Sequence, residues 1–491
     1  MNAVKWAYTA NWGEKGLSAL FAVLLAGILG PTAFGVVSIA IVYTAILQMF
    51  LDQGFVAALI QRKELQDEHL DAVFWMDQTL AILLVAISVL LSGWWAAKNH
   101  APEAGTLICV MALDIPLISL SIVQSAILKR ELDFKSLSIC SNASAIAGGL
   151  IGLGMAALGF RAWSLVGQQL AKDAITAILL WRFSHWRPRF SFSWRHLKEL
   201  TSFSFLNFVG QMAILADMQA SSVILGLFFG PVALGLYRIA DRLMNGVVTV
   251  AMSAIQAVSL PEFSRLQHQP EALRKSAMTC LRLTASVTLP SLCGLAVVST
   301  PLMATIGKSW IPASHALTVL CLLGIAIVFA YFTGPLLQAL SRVREVALLE
   351  WGRMFLGVIV LVPAAIIARQ HSITVQIMAI ALARFVTGAL VVAPIFVFIL
   401  MRICNITLRQ FVSLVFPSAM SAAAVVVSVL LFAWTGWLQT ATPILLLSSE
   451  VAIGGAVGIT VLLAIDFELR KSTEAILHRS YYRVLALKQS A

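Results

Sequence analysis

Charge is what this chain has least of. Only 12% of its 491 residues are Asp, Glu, Lys or Arg, while 60% are hydrophobic. Polar stretches long enough to cover a water-soluble domain are missing. In their place, runs of about 20 apolar residues recur, each able to cross a hydrocarbon core of about 30 Å as a helix. The fold class this implies is an all-α polytopic membrane protein, for which a length-based count of soluble domains does not apply. Cysteine is scarce too. Cys109, Cys140, Cys280, Cys293, Cys321 and Cys404 are scattered without CxxC spacing, which argues against a zinc site or a disulfide framework. Gly307-Lys308-Ser309 superficially matches a phosphate loop, but Leu302 stands where the first glycine is required, so no nucleotide site is expected. No metal or other cofactor is implied. A cleavable signal peptide is not expected, because the first apolar run is too long and another follows at once. The formal net charge of +11 is better explained by basic loops on one membrane face than by nucleic acid.

One stretch occurs twice. Gly30-Pro31-Thr32-Ala33-Phe34-Gly35 runs on to Ile39-Ala40, and Gly230-Pro231-Val232-Ala233-Leu234-Gly235 runs on to Ile239-Ala240, with six of eleven positions identical. Gly-Pro signals a tight turn, and Pro pre-sets the first turn of a helix. Each copy therefore predicts a helical hairpin, and the pair predicts two homologous halves with a site between them. Fourteen helices are expected, at about 6–29, 33–60, 73–96, 104–128, 136–158, 162–183, 200–229, 233–260, 277–300, 314–340, 346–368, 373–401, 411–434 and 441–465. The domains follow: a six-helix bundle (1–185), a basic linker (186–199), a second six-helix bundle (200–401), two additional helices (402–465) and a basic tail (466–491) that suits a short surface helix. With the N-terminus cytoplasmic, the inner connections and tails hold 23 basic residues and the outer ones four: Lys98, Arg161, Lys308 and Arg369. That asymmetry predicts both termini on the cytoplasmic side.

Several short stretches resemble a known family. Leu51-Asp52-Gln53-Gly54-Phe55, then Ala57-Ala58-Leu59-Ile60-Gln61-Arg62-Lys63 and Phe74-Trp75, match Wzx-type polysaccharide flippases, nearest to the subgroup of colanic acid and succinoglycan exporters. Leu128-Lys129-Arg130-Glu131-Leu132-Asp133-Phe134, Gly235-Leu236-Tyr237 and Pro261-Glu262-Phe263-Ser264-Arg265 fit the same pattern over roughly residues 5–400. The resemblance implies the fold of the multidrug/oligosaccharidyl-lipid/polysaccharide superfamily. It implies transfer of a polyprenyl-diphosphate-linked oligosaccharide between leaflets of the bacterial inner membrane, for exopolysaccharide or lipopolysaccharide synthesis. Implied partners are that lipid-linked substrate, membrane lipid, a polysaccharide polymerase and a chain-length regulator; nucleic acid is not among them.

Ionisable residues inside apolar spans cost about 2.5–3.5 kcal/mol each on insertion scales and mark pathways. The connections leave seven such bases, Lys15, Lys172, Arg238, Arg242, Arg282, Arg353 and Arg384. Nine acids join them: Glu14, Asp52, Asp77, Asp114, Asp173, Asp217, Asp241, Glu350 and Glu450. Asn11, Glu14, Lys15 and Ser18 form one polar stripe at i, i+3, i+4, i+7, either a wall of a hydrated cavity or a buried polar contact. Asp217 lies 13 residues before Gly230 and Arg242 lies 12 after it, so a hairpin puts both about 18 Å below the turn. Arg238, Asp241 and Arg242 share a helix face, where the first repeat has Ser38, Ile41 and Val42.

Arginine forks suit phosphate, so Arg238 and Arg242 are expected to hold the diphosphate, with Asp217 and Asp241 as counter-ions; a structural salt bridge is the competing explanation. Arg384 has no acid within a turn, and either substrate or another helix, with Glu350 one candidate, can satisfy it. Glu350 and Arg353 are expected to neutralise each other. Lys172 and Asp173 point about 100° apart and need separate partners; either could line the cavity. Asp77, Asp114 and Glu450 have no assigned role. Without a nucleotide site, an ion or voltage gradient, or consumption of product outside, must supply energy, and a proton on Asp217 or Asp241 is one route. A drug or small-cation antiporter of the same fold would favour acids and aromatics over arginine. A membrane polymerase or ligase needs a sizeable catalytic outer loop, and the longest outer connection here, around 301–313, is too short to build one.

Overall fold

The computed structural model describes residues 2–51, 59–60, 62, 65–340, 342–435 and 442–466, with backbone alone at 2–12, 199–207, 253–254, 256–258, 260–261 and 343. Asp52 and the stretch around it, and the tail beyond Asp466, lie outside the described residues, as does the side chain of Asn11. Every element among the described residues is helical. In order they are α1 (Asn2–Leu51), α2 (Asp67–Lys98), α3 (Ala104–Met111), α4 (Asp114–Arg130), α5 (Phe134–Ala157), α6 (Trp163–Phe183), α7 (Trp194–Leu266), α8 (Pro270–Val297), α9 (Ser299–Ile306), α10 (Ala313–Ile327), α11 (Thr333–Ala339), α12 (Val343–Ala368), α13 (Ile373–Phe385), α14 (Ala393–Ile403), α15 (Leu408–Trp434) and α16 (Pro443–Ile465). Among the described residues, eleven helical stretches are long and apolar enough to cross a membrane. Large apolar side chains such as Leu90, Ile178, Ile359 and Phe398 are well exposed, as expected where lipid rather than water is the solvent.

Two of those stretches, Gly13–Leu51 and Phe208–Met252, are interrupted at Gly30 and Gly230. Both glycines have φ near +75°, at 75° and 78°, a conformation that costs a Cβ-bearing residue dearly. Pro31 and Pro231 follow as first residues of the next segment, where the missing N–H is no loss. Contacts between the repeats show that the first repeat folds back at Gly30. Gly35 and Gly235 meet backbone to backbone: a Cβ on Gly35 would overlap the Pro231 carbonyl, and one on Gly235 the Pro31 carbonyl. Deeper in, Arg242 reaches Ser18. Gly235 to Arg242 is about 10 Å along a helix, and Gly35 to Ser18 along a straight α1 would be about 25 Å. Only a reversal at Gly30, placing Ser18 about 10 Å beyond Gly35 in depth, lets both contacts form.

Three spans are less regular than expected. The 104–128 span divides at Ala112–Leu113, the 314–340 span contains a 3-10 stretch (Val328–Phe332), and the 373–401 span contains a π stretch (Val386–Val392). Each irregularity begins within about two turns before a proline: Pro116, Pro335 and Pro394. A proline ring lacks the N–H donor and crowds the carbonyl four residues back. Pro290, Pro363 and Pro417 are accommodated without such breaks.

Helix association in lipid depends on close approach and polar contacts rather than on hydrophobic drive. On α5, a Cβ on Gly149 would overlap the Phe21 ring of α1, and one on Gly148 would crowd the Gln168 carbonyl of α6 at 2.8 Å. These glycines let α1, α5 and α6 pack tightly. The turn end of the molecule is sealed by Trp310, fully buried, whose indole donates to the Ala26 carbonyl at 3.0 Å and meets the Phe34 ring edge-on at 5.6 Å. At the opposite end, residues 184–193 are strapped to α2. Asp71 accepts from the Arg189 amide (2.9 Å) and the Ser191 hydroxyl (2.8 Å), and Trp75 donates to the Arg189 carbonyl while stacking on Phe190. Arg130 donates to the Leu59 and Arg62 carbonyls, capping the end of the short helical remnant there. Asp133 caps α5 through the Ser136 amide at 3.1 Å, and Ser136 holds its carboxyl below the usual carboxylate range. On the far flank, α8, α15 and α16 enclose an apolar groove of about 580 Å³ that includes Glu450.

Candidate functional site

The intramembrane charges divide into two classes. The first class is neutralised. Asp217, on the first segment of α7, sits 3% exposed. It accepts two hydrogen bonds from the fork of Arg384 on α13, at 2.7 and 3.2 Å, and a third contact from Arg353 on α12 at 3.2 Å. Arg353 in turn meets Glu350 at 3.1 Å. Two guanidinium groups and two carboxylates thus balance across three helices. Tyr237 and Tyr331 lie close enough to both Asp217 and Arg384 to feel their charges. A bidentate fork of this kind fixes orientation as well as charge. It pins α7 to α12 and α13 immediately before the π stretch that starts at Val386. A second neutral pair joins Glu14 on α1 to Lys172 on α6 at 2.7 Å, both side chains partly exposed. Asp173, next in sequence, turns elsewhere and accepts from Gln169 at 2.6 Å.

The second class is cationic and forms no ion pair among the described residues. Lys15 is exposed, Arg238 half-buried and Arg242 exposed. None of the three has a carboxylate within 4.0 Å among the described residues. Arg242 instead donates to the Ser18 carbonyl on α1 at 3.0 Å. Arg238 and Arg242 are near enough to repel one another. Asp241, between them, accepts from Asn245 at 2.9 Å and is near enough to attract Arg238 on the same helix. By residue count Arg238, Arg242 and Lys15 lie about 12, 18 and 22 Å from the turn glycines, and Arg242 stands where α7 meets α1. Cations there that were buried and dry would cost several kcal/mol; exposure relieves that cost and requires water beside them.

Two expectations need correction and one alternative is resolved. Asp217 is not the counter-ion of Arg242 or Arg238; it belongs to Arg384 and Arg353. Residue spacing fixed its depth but not its direction around the helix, and α7 packs this face on α12 and α13. Arg384, left open between substrate and an acid on another helix with Glu350 one candidate, is satisfied by another helix, and its partner is Asp217 rather than Glu350. Glu350 and Arg353 do pair, but they are not self-contained, because Arg353 also bridges to Asp217. Sequence reasoning missed Arg353, whose i−3 acid masked it. It also left Asp114 without a role, although Asp114 is buried at mid-membrane beside Gln48.

The comparisons with known proteins agree with this architecture. Residues 24–315 match the family model described as polysaccharide biosynthesis protein. The chain is 28% identical over 349 residues to the succinoglycan biosynthesis transport protein ExoT of Rhizobium meliloti (strain 1021), covering 71% of this chain and 70% of that protein. It is 24% identical to the lipopolysaccharide biosynthesis protein WzxC of Escherichia coli (strain K12), covering 70% of each. Among solved structures, the lipid II flippase MurJ in an inward closed conformation superposes with a TM-score of 0.72 at 14% identity, covering 94% of this chain and 98% of that one. An inward-facing multidrug resistance MATE family transporter gives 0.60 at 15% identity, over 82% and 94%. At those identities the likeness is one of fold. With more than half its length matched by the family model, the chain belongs to the polysaccharide biosynthesis protein family.

Proposed function

We propose that the chain is a flippase that moves a polyprenyl-diphosphate-linked oligosaccharide from the inner to the outer leaflet of the bacterial inner membrane, with both termini cytoplasmic. Fourteen spans would form the bundles 1–185 and 200–401, joined by the 186–199 linker and followed by the helices within 402–465. The observation that carries this reading is a cation set with no carboxylate within 4.0 Å among the described residues, Lys15, Arg238 and Arg242, of which Arg242 donates across to Ser18 of the other repeat. An oligosaccharide hydroxyl dragged through hydrocarbon without a partner costs several kcal/mol. A wet wall offers substitutes for water, and a cation pair with no ion-paired carboxylate has affinity to spare for a diphosphate. The cation-rich face argues against a carrier of cationic drugs. The family and its named transport relatives, ExoT among them, support transport rather than polymer chemistry.

In this reading the Asp217 network serves as frame. The seal at the turn end, built from Gly35, Gly235 and Trp310, closes the outer side, so the site opens inward, and rocking of the two bundles exposes it outward. The substrate contacts are Lys15, Arg238 and Arg242. Glu14, Lys172, Asp173 and Asp241 hold the neighbouring wall. A polymerase and a chain-length regulator would act on the delivered product. The test is the accumulation of lipid-linked sugar on the inner leaflet of cells that depend on this chain. Arg238→Gln and Arg242→Gln should each cause that accumulation while folded protein persists in the membrane. Normal export by both variants would overturn the assignment.

A further inference from the structure

A pocket of about 500 Å³ opens where the end of α7 meets the start of α8. That volume falls within the range of about 300–1,000 Å³ typical of small-molecule sites. By residue count it lies about 30 Å along α7 from Arg242, well away from the proposed substrate contacts. Its two walls carry opposite charge. Glu262 stands on α7, one turn before the last residue, and Lys275 stands on α8, five residues after Pro270. The two do not pair, and neither has an oppositely charged group within 4.0 Å among the described residues.

Beside Lys275, Ser276 also lines the pocket and is 7% exposed, yet its hydroxyl has no hydrogen-bond partner. Helical hydroxyls elsewhere, such as those of Ser38, Ser88 and Thr288, turn back on the carbonyl four residues earlier. The Cys280 thiol, one turn on, faces Ser259 at 3.8 Å, and Thr279 donates to the Lys275 carbonyl at 3.0 Å. A buried hydroxyl without a partner is costly, so it marks a place where an acceptor belongs. The charge is confined to one end of the pocket. Ile255 lies about 10 Å deeper than Glu262 along α7, and Leu283 about 12 Å deeper than Lys275 along α8. With Cys280 they make an apolar floor. Leu283 is 39% exposed within a stretch able to cross the membrane, so the floor opens onto hydrocarbon.

We propose that this pocket binds one zwitterionic aminophospholipid of the surrounding bilayer, with phosphoethanolamine as its headgroup. The phosphate accepts from the Lys275 ammonium and the Ser276 hydroxyl. The lipid ammonium donates to the Glu262 carboxylate, and the upper chain segments lie over Ile255 and Leu283. Hydrogen bonds between charged groups are the strong ones. An anion alone would leave Glu262 without a partner, a cation alone would leave Lys275 and Ser276, and a soluble zwitterion would leave the apolar floor uncovered. A primary ammonium has three N–H donors and a choline group has none, so the Glu262 wall selects ethanolamine over choline. The bound lipid ties the end of α7 to the start of α8. Its binding is independent of what the protein transports.

Native mass spectrometry of the purified full-length protein tests the assignment, with separate titrations of palmitoyl-oleoyl phosphatidylethanolamine, phosphatidylcholine and phosphatidylglycerol. The wild type should hold a first phosphatidylethanolamine at least tenfold more tightly than either of the others. Glu262→Gln should bring the ethanolamine and choline lipids to equal affinity. Lys275→Gln should weaken both at least fivefold, because both offer the same phosphate, and Ser276→Ala should weaken both by a smaller factor. The ethanolamine-to-choline preference is a ratio within one variant, so partial loss of folded protein leaves it readable. A wild type without the tenfold preference, or a Glu262→Gln variant that keeps it, overturns the assignment. Tighter binding of phosphatidylglycerol, lost in Lys275→Gln and unchanged in Glu262→Gln, would overturn it in favour of an anionic-lipid site.

Discussion

The Asp217–Arg384 pair gives the sharpest test of the division between framework charges and substrate charges. Asp217→Asn removes one of two acids facing two arginines and leaves the network at net +1; Arg384→Met leaves it at net −1. Breaking a buried pair from one side costs about 3–5 kcal/mol. The Asp217 side chain is 4% exposed, but Arg384 and Arg353 are 21% and 25% exposed. Partial solvent access reduces the penalty, and about 2–3 kcal/mol per single variant is expected. The double variant is neutral again, because Arg353 and Glu350 still pair, so its loss should be only about 1 kcal/mol, far less than the sum of the singles. Thermal midpoints of purified wild type, both singles and the double, in one detergent, supply the cycle. Export by the same four proteins supplies the second readout. If the network is a frame, the double variant regains export as it regains stability. Losses that simply add would refute the pairing. A stable double variant that exports nothing would show that Arg384 works on the substrate itself.

Other outcomes follow from the same geometry. Gly35→Ala and Gly235→Ala each push a methyl into a proline carbonyl of the other repeat; overpacking of this kind costs about 1–3 kcal/mol, and cross-linking between the turn ends should fall in both variants. Trp310→Phe keeps the ring contact with Phe34 but loses the indole bond to Ala26, about 1 kcal/mol, and should raise the labelling rate of a cysteine placed at position 27. Asp133→Ala removes the α5 cap at about 1 kcal/mol. Because Ser136 depresses the Asp133 carboxyl in the folded state, that contribution is complete above the unfolded carboxylate range, near pH 4, and fades as pH falls through the depressed value. Wild type and variant should therefore converge in thermal midpoint on acidification. Asp71→Ala cuts its two hydrogen bonds to residues 189 and 191 and leaves the Trp75 bond to Arg189, and limited proteolysis should then cleave between 184 and 193 markedly faster than in wild type.

Much of the architecture was legible because lipid imposes few options. An apolar run about 20 residues long must be helical, and Gly-Pro between two such runs must turn. Prolines 116, 335 and 394 carried a readable signal for the broken spans, which unbroken hydrophobic runs concealed. What could not be read was rotation about helix axes. Asp217 and Arg242 do lie at similar distances from Gly230 in sequence, yet one faces α12 and α13 and the other faces α1. Depth follows from residue count, whereas azimuth depends on which neighbour packs where, and that is settled between residues more than a hundred positions apart. Asp114 and its hydrogen-bond donor Gln48 are 66 residues apart and carry no shared local pattern, so an isolated acid gave no hint of its partner.

The repeat itself turned out to encode more than a turn. Its first glycine, at 30 and 230, supplies the left-handed backbone, and its proline starts the next helix. The second glycine, at 35 and 235, has no role within its own hairpin. It allows each hairpin to press against the proline carbonyl of the other. Identical residues were thus retained in both copies because each is the other's contact surface, while positions 38 and 238, three residues deeper, were free to become serine in one half and arginine in the other. A rocking device needs this combination: a tight, side-chain-free crossing at one end, which fixes the pivot, and unlike chemistry below it, where a charged headgroup is to be held. The same logic explains why the neutral Asp217 network stands away from the crossing, tying α7 to α12 and α13 alone. A salt bridge from α7 to α1 would lock the two repeats together below the crossing, and the polar side-chain contact found there among the described residues is a hydrogen bond from Arg242 to a backbone carbonyl, which an anionic ligand can replace.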